Sequence, residues 1–442
     1  AGSARTQLSS WGGWGVTSHG LPSSTTMRIN VATASLVMVA MPSMGFLPTV
    51  RHQGARAQRR NLRMAAKCDV MVVGCGLPSR GMGWFHSLQM LNGECPSAEL
   101  NHIVEPWFLG GGKEVTGMAS NWRVPYNNTN ARPPTFAQGP AGEEFAAFKE
   151  EWEPKGCAFH ASLETVPPPT GPRMALIAGR TADNPKLLRD VIEAGCTKVM
   201  LEKPGATTVA DLVDMSAYAK EKGVDVYMGY NKNIASYITK AREVEAKTEG
   251  AKTKLVTLNA YERDELEECF TRNSEGLLKN MAIHELALAA TFYGMRASNV
   301  ETVEVNKENS ECLTLGGFTD FVKVEFTMTT TEGTSVTIFA DRCGGAEAMA
   351  IVSDSTGKEV FTSTLPDEAL KAEVEKKMDD FPDVMPYFWQ QESDYRSLKE
   401  RCAVMAVSNE RGAPEGVATI EIAIAALELA EYLTPIMQKE LM

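Results

Sequence analysis

The sequence predicts a doubly wound parallel α/β sheet followed by an α+β domain whose mostly antiparallel sheet has one open face. Three observations carry this expectation. After Lys67, near-continuous apolar runs alternate with amphipathic stretches, and a glycine-rich bend follows the first run. Beyond Asn231 the pattern changes to strict alternation of apolar and polar residues. Continuous apolar strands suit a parallel sheet covered on both faces, whereas alternation suits a sheet with one wet face.

The buried strands are read at DVMVV (Asp69 to Val73), HIV (His102 to Val104), MALIAG (Met174 to Gly179), KVMLE (Lys198 to Glu202) and DVYMGY (Asp225 to Tyr230). Between them, NPKLLRDVIEAG and TVADLVDMSAYAKEKG have helical periodicity, and each ends at a glycine suited to a left-handed cap. In the second half, helices are predicted over Ala235 to Lys247, about Glu275 to Tyr293 and about Ile420 to Leu433. The stretch FVKVEFTMTTTEGTSVTIFADR reads as a hairpin turning at Thr331-Glu332-Gly333, and another turns at Asp354 to Gly357. The expected organisation is a leader over 1–66, a dinucleotide-type domain over 67–232 and an α+β domain over 233–442. At 442 residues, two folded domains are the natural expectation.

Charge is unevenly placed. The first 68 residues carry seven Arg, one Lys and no acid, which leaves 36 basic against 56 acidic residues in the remainder. A body this acidic repels a phosphate backbone, so nucleic acid is not an expected partner. The longest apolar run of the leader, Val31 to Met41, is too short to span a membrane. The nine cysteines contain no CxxC pair, so free thiols and no metal site are expected.

From Met27, a plausible start, Arg28 precedes that apolar run, and the acid-free stretch from Arg51 to Arg63 follows. A signal-like run joined to a transit-like stretch near Phe46 resembles the bipartite address of plastids acquired secondarily. A mitochondrial presequence and an unprocessed disordered arm are the alternatives.

Chemistry enters at VGCGLPSRGMGWFH. Gly74 and Gly76 allow a tight turn and close backbone approach to a pyrophosphate, and Gly81 and Gly83 open a helix whose N-terminal amides favour an anion. Leu77 to Arg80 look inserted relative to the usual spacing. Glu105, about 20 residues past Gly83, ends the second strand, where a carboxylate would accept from ribose hydroxyls and repel a 2′-phosphate. NAD is therefore favoured over NADP.

Further on, GCTKVMLEKPGATTVADL, GVDVYMGYNKN and GLLKNMAIHELALAATFYG resemble the Gfo/Idh/MocA oxidoreductases from about Asp69 onward. The tripeptide Glu202-Lys203-Pro204 and the triplet Gly229-Tyr230-Asn231 carry the resemblance. It implies that Lys203 reaches nicotinamide and substrate and that His284 does acid–base work. It also implies that Glu202, Arg180, Thr181 and Asn184 border the cofactor, with Tyr230 and Asn231 on the substrate side. A Lys at a strand's C-terminal end points into the crevice where doubly wound sheets bind ligands. Asn280 lies four residues before His284, so both side chains are expected on one helix face, with Asn280 positioning the substrate hydroxyl. Two positions depart from the pattern of polyol-oxidising relatives: Asn280 stands where many have Asp, and Pro185 where many have His.

The expected activity is hydride transfer between NAD(P) and a hydroxyl or carbonyl carbon of a sugar, polyol or related small molecule. The competing expectations are a dinucleotide-binding sensor or assembly protein without turnover, and an enal or imine reductase. An apolar stripe, Val322, Val324, Phe326 and Met328, is expected on the open face of the second sheet, where it would pack a second copy of the chain.

Overall fold

The computed structural model describes residues 67–110, 140–382 and 384–442. The leader lies outside the described residues, as does nearly all of the proline-rich stretch 132–140, which the sequence reads as a surface loop. Six parallel strands form the first sheet: β1 (Cys68–Val73), β2 (Ala98–Val104), β3 (Ala158–His160), β4 (Arg173–Ile177), β5 (Lys198–Leu201) and β6 (Asp225–Met228). Their order is β3-β2-β1-β4-β5-β6, so the chain reverses direction across the sheet between β1 and β4. Ligands bind doubly wound sheets outside the carboxyl ends of the strands at this switch point.

The sheet is covered on both sides, as its continuous apolar strands require. On one face lie α1 (Met82–Leu91), the one-turn α2 (Pro106–Leu109) and α3 (Pro140–Trp152). On the other lie α4 (Asn184–Glu193) and α5 (Val209–Glu221). Thr208 caps α5 by accepting from the Asp211 amide at 3.1 Å.

After β6 a 3-10 turn (Asn231–Ile234) leads into α6 (Ser236–Glu245) and β7 (Lys252–Leu258). Next come α7 (Leu266–Arg272), α8 (Leu277–Asn280) and α9 (Ile283–Phe292). The helix expected over Glu275 to Tyr293 is thus broken. Met281 and Ala282 form a turn between α8 and α9, with the Ala282 amide bonded to the Leu277 carbonyl at 3.0 Å. Asp320 holds the start of α8 by accepting from the Leu277 amide, and it is itself held by the buried Arg342 guanidinium at 2.5 Å.

The second sheet contains β8 (Val300–Val305), β9 (Glu311–Leu315), β10 (Phe318–Thr330), β11 (Ser335–Asp341), β12 (Ala348–Ser353) and β13 (Glu359–Leu365) together with β7. Its order is β13-β12-β7-β11-β10-β8, with β9 on β10. Only β7 with β11 runs parallel. Both expected hairpins form: β10 pairs β11 and β12 pairs β13, each antiparallel.

The stripe on β10 faces the other way from the expectation. Val324, Phe326 and Met328 join the main core with Val336 and Ile338 of β11, Leu286 of α9 and Leu427 of the closing helix. Val322 packs against Leu266 and Phe270 of α7. The stripe is therefore covered by this chain's own helices. The opposite face of β10 presents Lys323, Glu325, Thr327 and Thr329, all only partly buried.

The C-terminal region holds α10 (Glu368–Asp380), α11 (Pro386–Gln390), α12 (Glu392–Ser408) and α13 (Ile420–Leu441). Helix α13 packs between the two sheets against α5 and α9, which makes one apolar core continuous across both. Helices α11 and α12 return to the first sheet and pack on α1, where Phe388 stacks on Phe85 at 4.8 Å. No helix among the described residues is long and apolar enough to cross a membrane.

Candidate active site

The glycine bend sits at the switch point. A Cβ at Gly74, whose φ is +83°, would lie 2.7 Å from the Gly179 Cα, so the loops after β1 and β4 touch backbone to backbone. Gly81 caps α1, and a Cβ at Gly83 would run into the Gly74 carbonyl. Gly83 therefore performs the close strand–helix packing expected of the last glycine in such a bend. The extra residues Leu77 to Arg80 are absorbed in a turn closed by the Gly81 amide on the Leu77 carbonyl at 2.7 Å.

Glu105 follows β2 and is buried beside this bend. Its carboxylate accepts from the Gly76 amide at 2.8 Å and from the Trp107 amide at 3.0 Å. Burial raises its pKa, and those backbone donors partly offset the rise. A ribose hydroxyl there would share the carboxylate with the Gly76 amide. Across the switch point, Arg180 and Thr181 are half-buried at the start of the 3-10 turn after β4. Asn184 is buried and donates its amide to the Gly205 carbonyl at 2.8 Å, which ties the β4 loop to the loop bearing Lys203.

Lys203 follows β5, half-buried, in a cis Lys203–Pro204 peptide. Burial lowers its pKa; Glu202 pulls the other way, Lys232 lowers it further, and Glu275 and Glu285 raise it. His284, the second residue of α9, is buried with its ring 5.6 Å from that of Tyr230 and nearly perpendicular to it. Burial first, then the Lys203 and Lys232 cations, hold this imidazole well below its usual pKa. The structure thus brings Lys203, His284 and Tyr230 together. Asn231 is buried beside them and donates to Gln391 at 3.0 Å.

Asn280 stands apart from this arrangement. The break at Met281 and Ala282 removes the shared helical face, and its amide donates to Glu275 at 2.7 Å. Glu202 also lies differently from the cofactor edge expected of it. Its carboxylate turns inward to His86 at 2.9 Å, against Gly229, where a Cβ would collide with it.

Sequence reasoning missed Lys232 and Glu285, which pair at 2.6 Å beside Lys203 and His284. The signal was present, because a charged residue directly follows both Asn231 and His284. Several buried polar atoms here have no partner among the described residues: Tyr230 Oη, Asn231 Oδ1, His284 Nδ1 and Glu285 Oε2. Buried polar groups are nearly always satisfied, so such a cluster marks a place where a ligand or water supplies the bonds.

The comparisons with known proteins bear on the family and the fold. Residues 131–230 match the model of the oxidoreductase family with an NAD-binding Rossmann fold, Gfo/Idh/MocA. No curated protein matches the chain. Among solved structures, a probable dehydrogenase from Thermotoga maritima is 16% identical at a TM-score of 0.56, covering 84% of this chain and 97% of its own. A myo-inositol dehydrogenase from Corynebacterium glutamicum is 16% identical at 0.55, covering 83% and 95%. A scyllo-inositol dehydrogenase from Lactobacillus casei, with bound NAD(H) and scyllo-inositol, is 12% identical at 0.55, covering 83% and 95%. At these identities the structures establish a shared fold. The chain thus matches the Gfo/Idh/MocA family model over residues 131–230 and shares its fold with these dehydrogenase structures over 83–84% of its length.

Proposed function

We propose that the protein is an NAD(P)-dependent oxidoreductase that moves a hydride to or from a hydroxyl or carbonyl carbon of a sugar, polyol or related small molecule. One observation carries the reading. Lys203, at the carboxyl end of β5, and His284 stand within electrostatic reach of each other among buried polar atoms that lack partners.

The residues present suit a dinucleotide. Gly74 and Gly83 leave no room for side chains where strand, helix and the β4 loop converge, and α1 opens at Gly81 with its N-terminal amides available to an anion. Gly76, Arg180 and Thr181 would complete the walls of that cleft. The Glu105 carboxylate favours NAD, because a 2′-phosphate would meet a buried acid. When bound, the nicotinamide supplies the hydride chemistry.

The chain's own residues handle the oxygen and its proton. The Lys203 ammonium donates to the substrate oxygen and stabilises alkoxide character there. His284, held neutral, accepts the hydroxyl proton at Nδ1 and returns it in the reverse direction. Lys232 and Glu285 keep the pocket polar around the reacting oxygen, and Tyr230 and Asn231 offer hydrogen bonds to neighbouring hydroxyls.

The test is a panel of inositols, hexoses, aminosugars and their keto forms, assayed with NAD and NADP by nicotinamide absorbance. Turnover of at least one polyol or sugar that is lost in Lys203→Ala supports the reading. Tight nucleotide binding with no turnover across the panel would replace it with a non-catalytic role.

A further inference from the structure

Lys399 is among the largest fully buried side chains of the protein, yet no carboxylate lies within ion-pair distance of it among the described residues. A buried ammonium is costly unless paired or hydrogen-bonded. Here it comes from the middle of α12 and donates to His86 Nδ1 at 3.1 Å and to the Gln89 side chain, both on α1. Because Nδ1 accepts, the imidazole proton sits on Nε2, which donates to Glu202 Oε1 at 2.9 Å. Tyr395 of α12 closes over the imidazole edge at 4.9 Å.

Three elements far apart in sequence thus form one relay from Lys399 through His86 to the residue directly before Lys203. Glu202 is also pressed against Gly229, where any side chain would collide with its carboxylate. Its direction is therefore set from two sides, by a donor and by the absence of a Cβ.

We propose that His86 and Lys399 are positioning residues that draw the Glu202 carboxylate away from Lys203 and leave the Lys203 ammonium free to address a bound ligand. This rests on the reading of Lys203 as the group that faces the substrate oxygen. Without the His86 donor, the buried Glu202 carboxylate is left with the Lys203 and Lys399 cations in electrostatic reach, and a pair with the adjoining Lys203 would form in its place. Burial, then the Lys399 charge, lowers the His86 pKa to about 4, against the opposing pull of Glu202. His86 therefore relays as a neutral imidazole at neutral pH. The other charged groups facing Lys203 are Lys232, Glu275 and Glu285, with His284 opposite, and none of them belongs to the relay.

The test reads Lys203 directly and needs no substrate. Full-length wild type, His86→Leu, His86→Gln and Lys399→Met are acetylated with acetic anhydride over a pH series, and the modified peptides are quantified by mass spectrometry. The exposed Lys252 serves as internal standard. Only the neutral amine reacts, so one unit of pKa is about tenfold in rate at a fixed neutral pH. The expected result is that Lys203 reacts about tenfold or more slowly in His86→Leu and is slowed in Lys399→Met. His86→Gln, which keeps a donor toward Glu202, stays near the wild-type rate.

Circular dichroism on the same samples identifies any variant that fails to fold. If His86→Leu fails, a folded Lys399→Met compared with His86→Gln decides the question. A folded His86→Leu or Lys399→Met with wild-type Lys203 reactivity overturns the proposal. Nucleotide binding measured in parallel tests the proposed function separately, because an absent affinity leaves the labelling result readable.

Discussion

Gly74 and Gly179 meet backbone to backbone: a Cβ on Gly74 would come within 2.7 Å of both the Cα and the amide nitrogen of Gly179. This contact brings the turn after β1 against the turn after β4 and so defines the floor of the cleft. Gly74→Ala should cost both the positive-φ penalty of about 1 kcal/mol and the added displacement of the β4 loop. Gly333, with φ +84° and open space around it, supplies the comparison, since Gly333→Ala carries the backbone penalty alone. Denaturant unfolding should show Gly74→Ala as clearly the less stable, and only that variant should lose nucleotide affinity. Equal losses would remove the close approach from the account.

His284 should act as a base below the usual histidine range. Its folded pKa lies well below 6.5, because burial and then the Lys203 and Lys232 cations oppose protonation. The acid limb of the pH–rate profile is therefore expected below pH 6.5. Lys203→Met removes a facing cation and should move the limb of the residual activity upward. The stability sign follows from linkage. Between the folded value and 6.5 the unfolded state binds more protons, so stability falls as pH drops through 6.5. His284→Gln should flatten that part of the stability profile, and an unchanged slope would show that this histidine does not carry it.

The Lys232–Glu285 pair at 2.6 Å is almost wholly out of water. Breaking it from one side strands the other charge, so Lys232→Met should destabilise by about 3–5 kcal/mol. The double variant Lys232→Met, Glu285→Leu should recover part of that loss, because no unpaired buried charge remains. A double-mutant cycle in urea measures the coupling. Additive losses would mean that the two side chains do not depend on each other.

Phe326 tests the direction of the β10 stripe. Its ring belongs to the core between the second sheet and helices α9 and α13. Phe326→Ala should therefore cost about 3–5 kcal/mol in folding stability and leave the oligomeric state of the folded protein unchanged. Light scattering beside thermal unfolding distinguishes this from a stripe that joins two copies, where dissociation would come first.

Local signals carried the fold further than the site. Strand β1 and its glycine bend were legible because apolar continuity and the positive-φ requirement at Gly74 are properties of a few adjacent residues. The two hairpins were legible for the same reason, through alternation and turn chemistry. Alternation also made the β10 stripe visible, but not which side of the sheet the later helices would cover. That depended on α13, which arrives about 100 residues downstream.

The helix break at Met281 and Ala282 escaped the reading because the apolar periodicity runs straight through it, while the start of α8 is fixed by long-range bonds through Asp320 and Arg342. His86 passed unnoticed beside the glycines because its partners, Glu202 and Lys399, lie 116 and 313 residues away. Glu105 was legible as a strand-end acid, but its bond to the Gly76 amide was not, since that needs the folded loop.

Titration of the purified protein with NADH and with NADPH, followed by nicotinamide fluorescence, tests the central claim most directly. The account predicts saturable binding, tighter for NADH, displaced by NAD and abolished in Gly74→Ala. Absence of saturable binding for both reduced nucleotides in folded wild-type protein would contradict it.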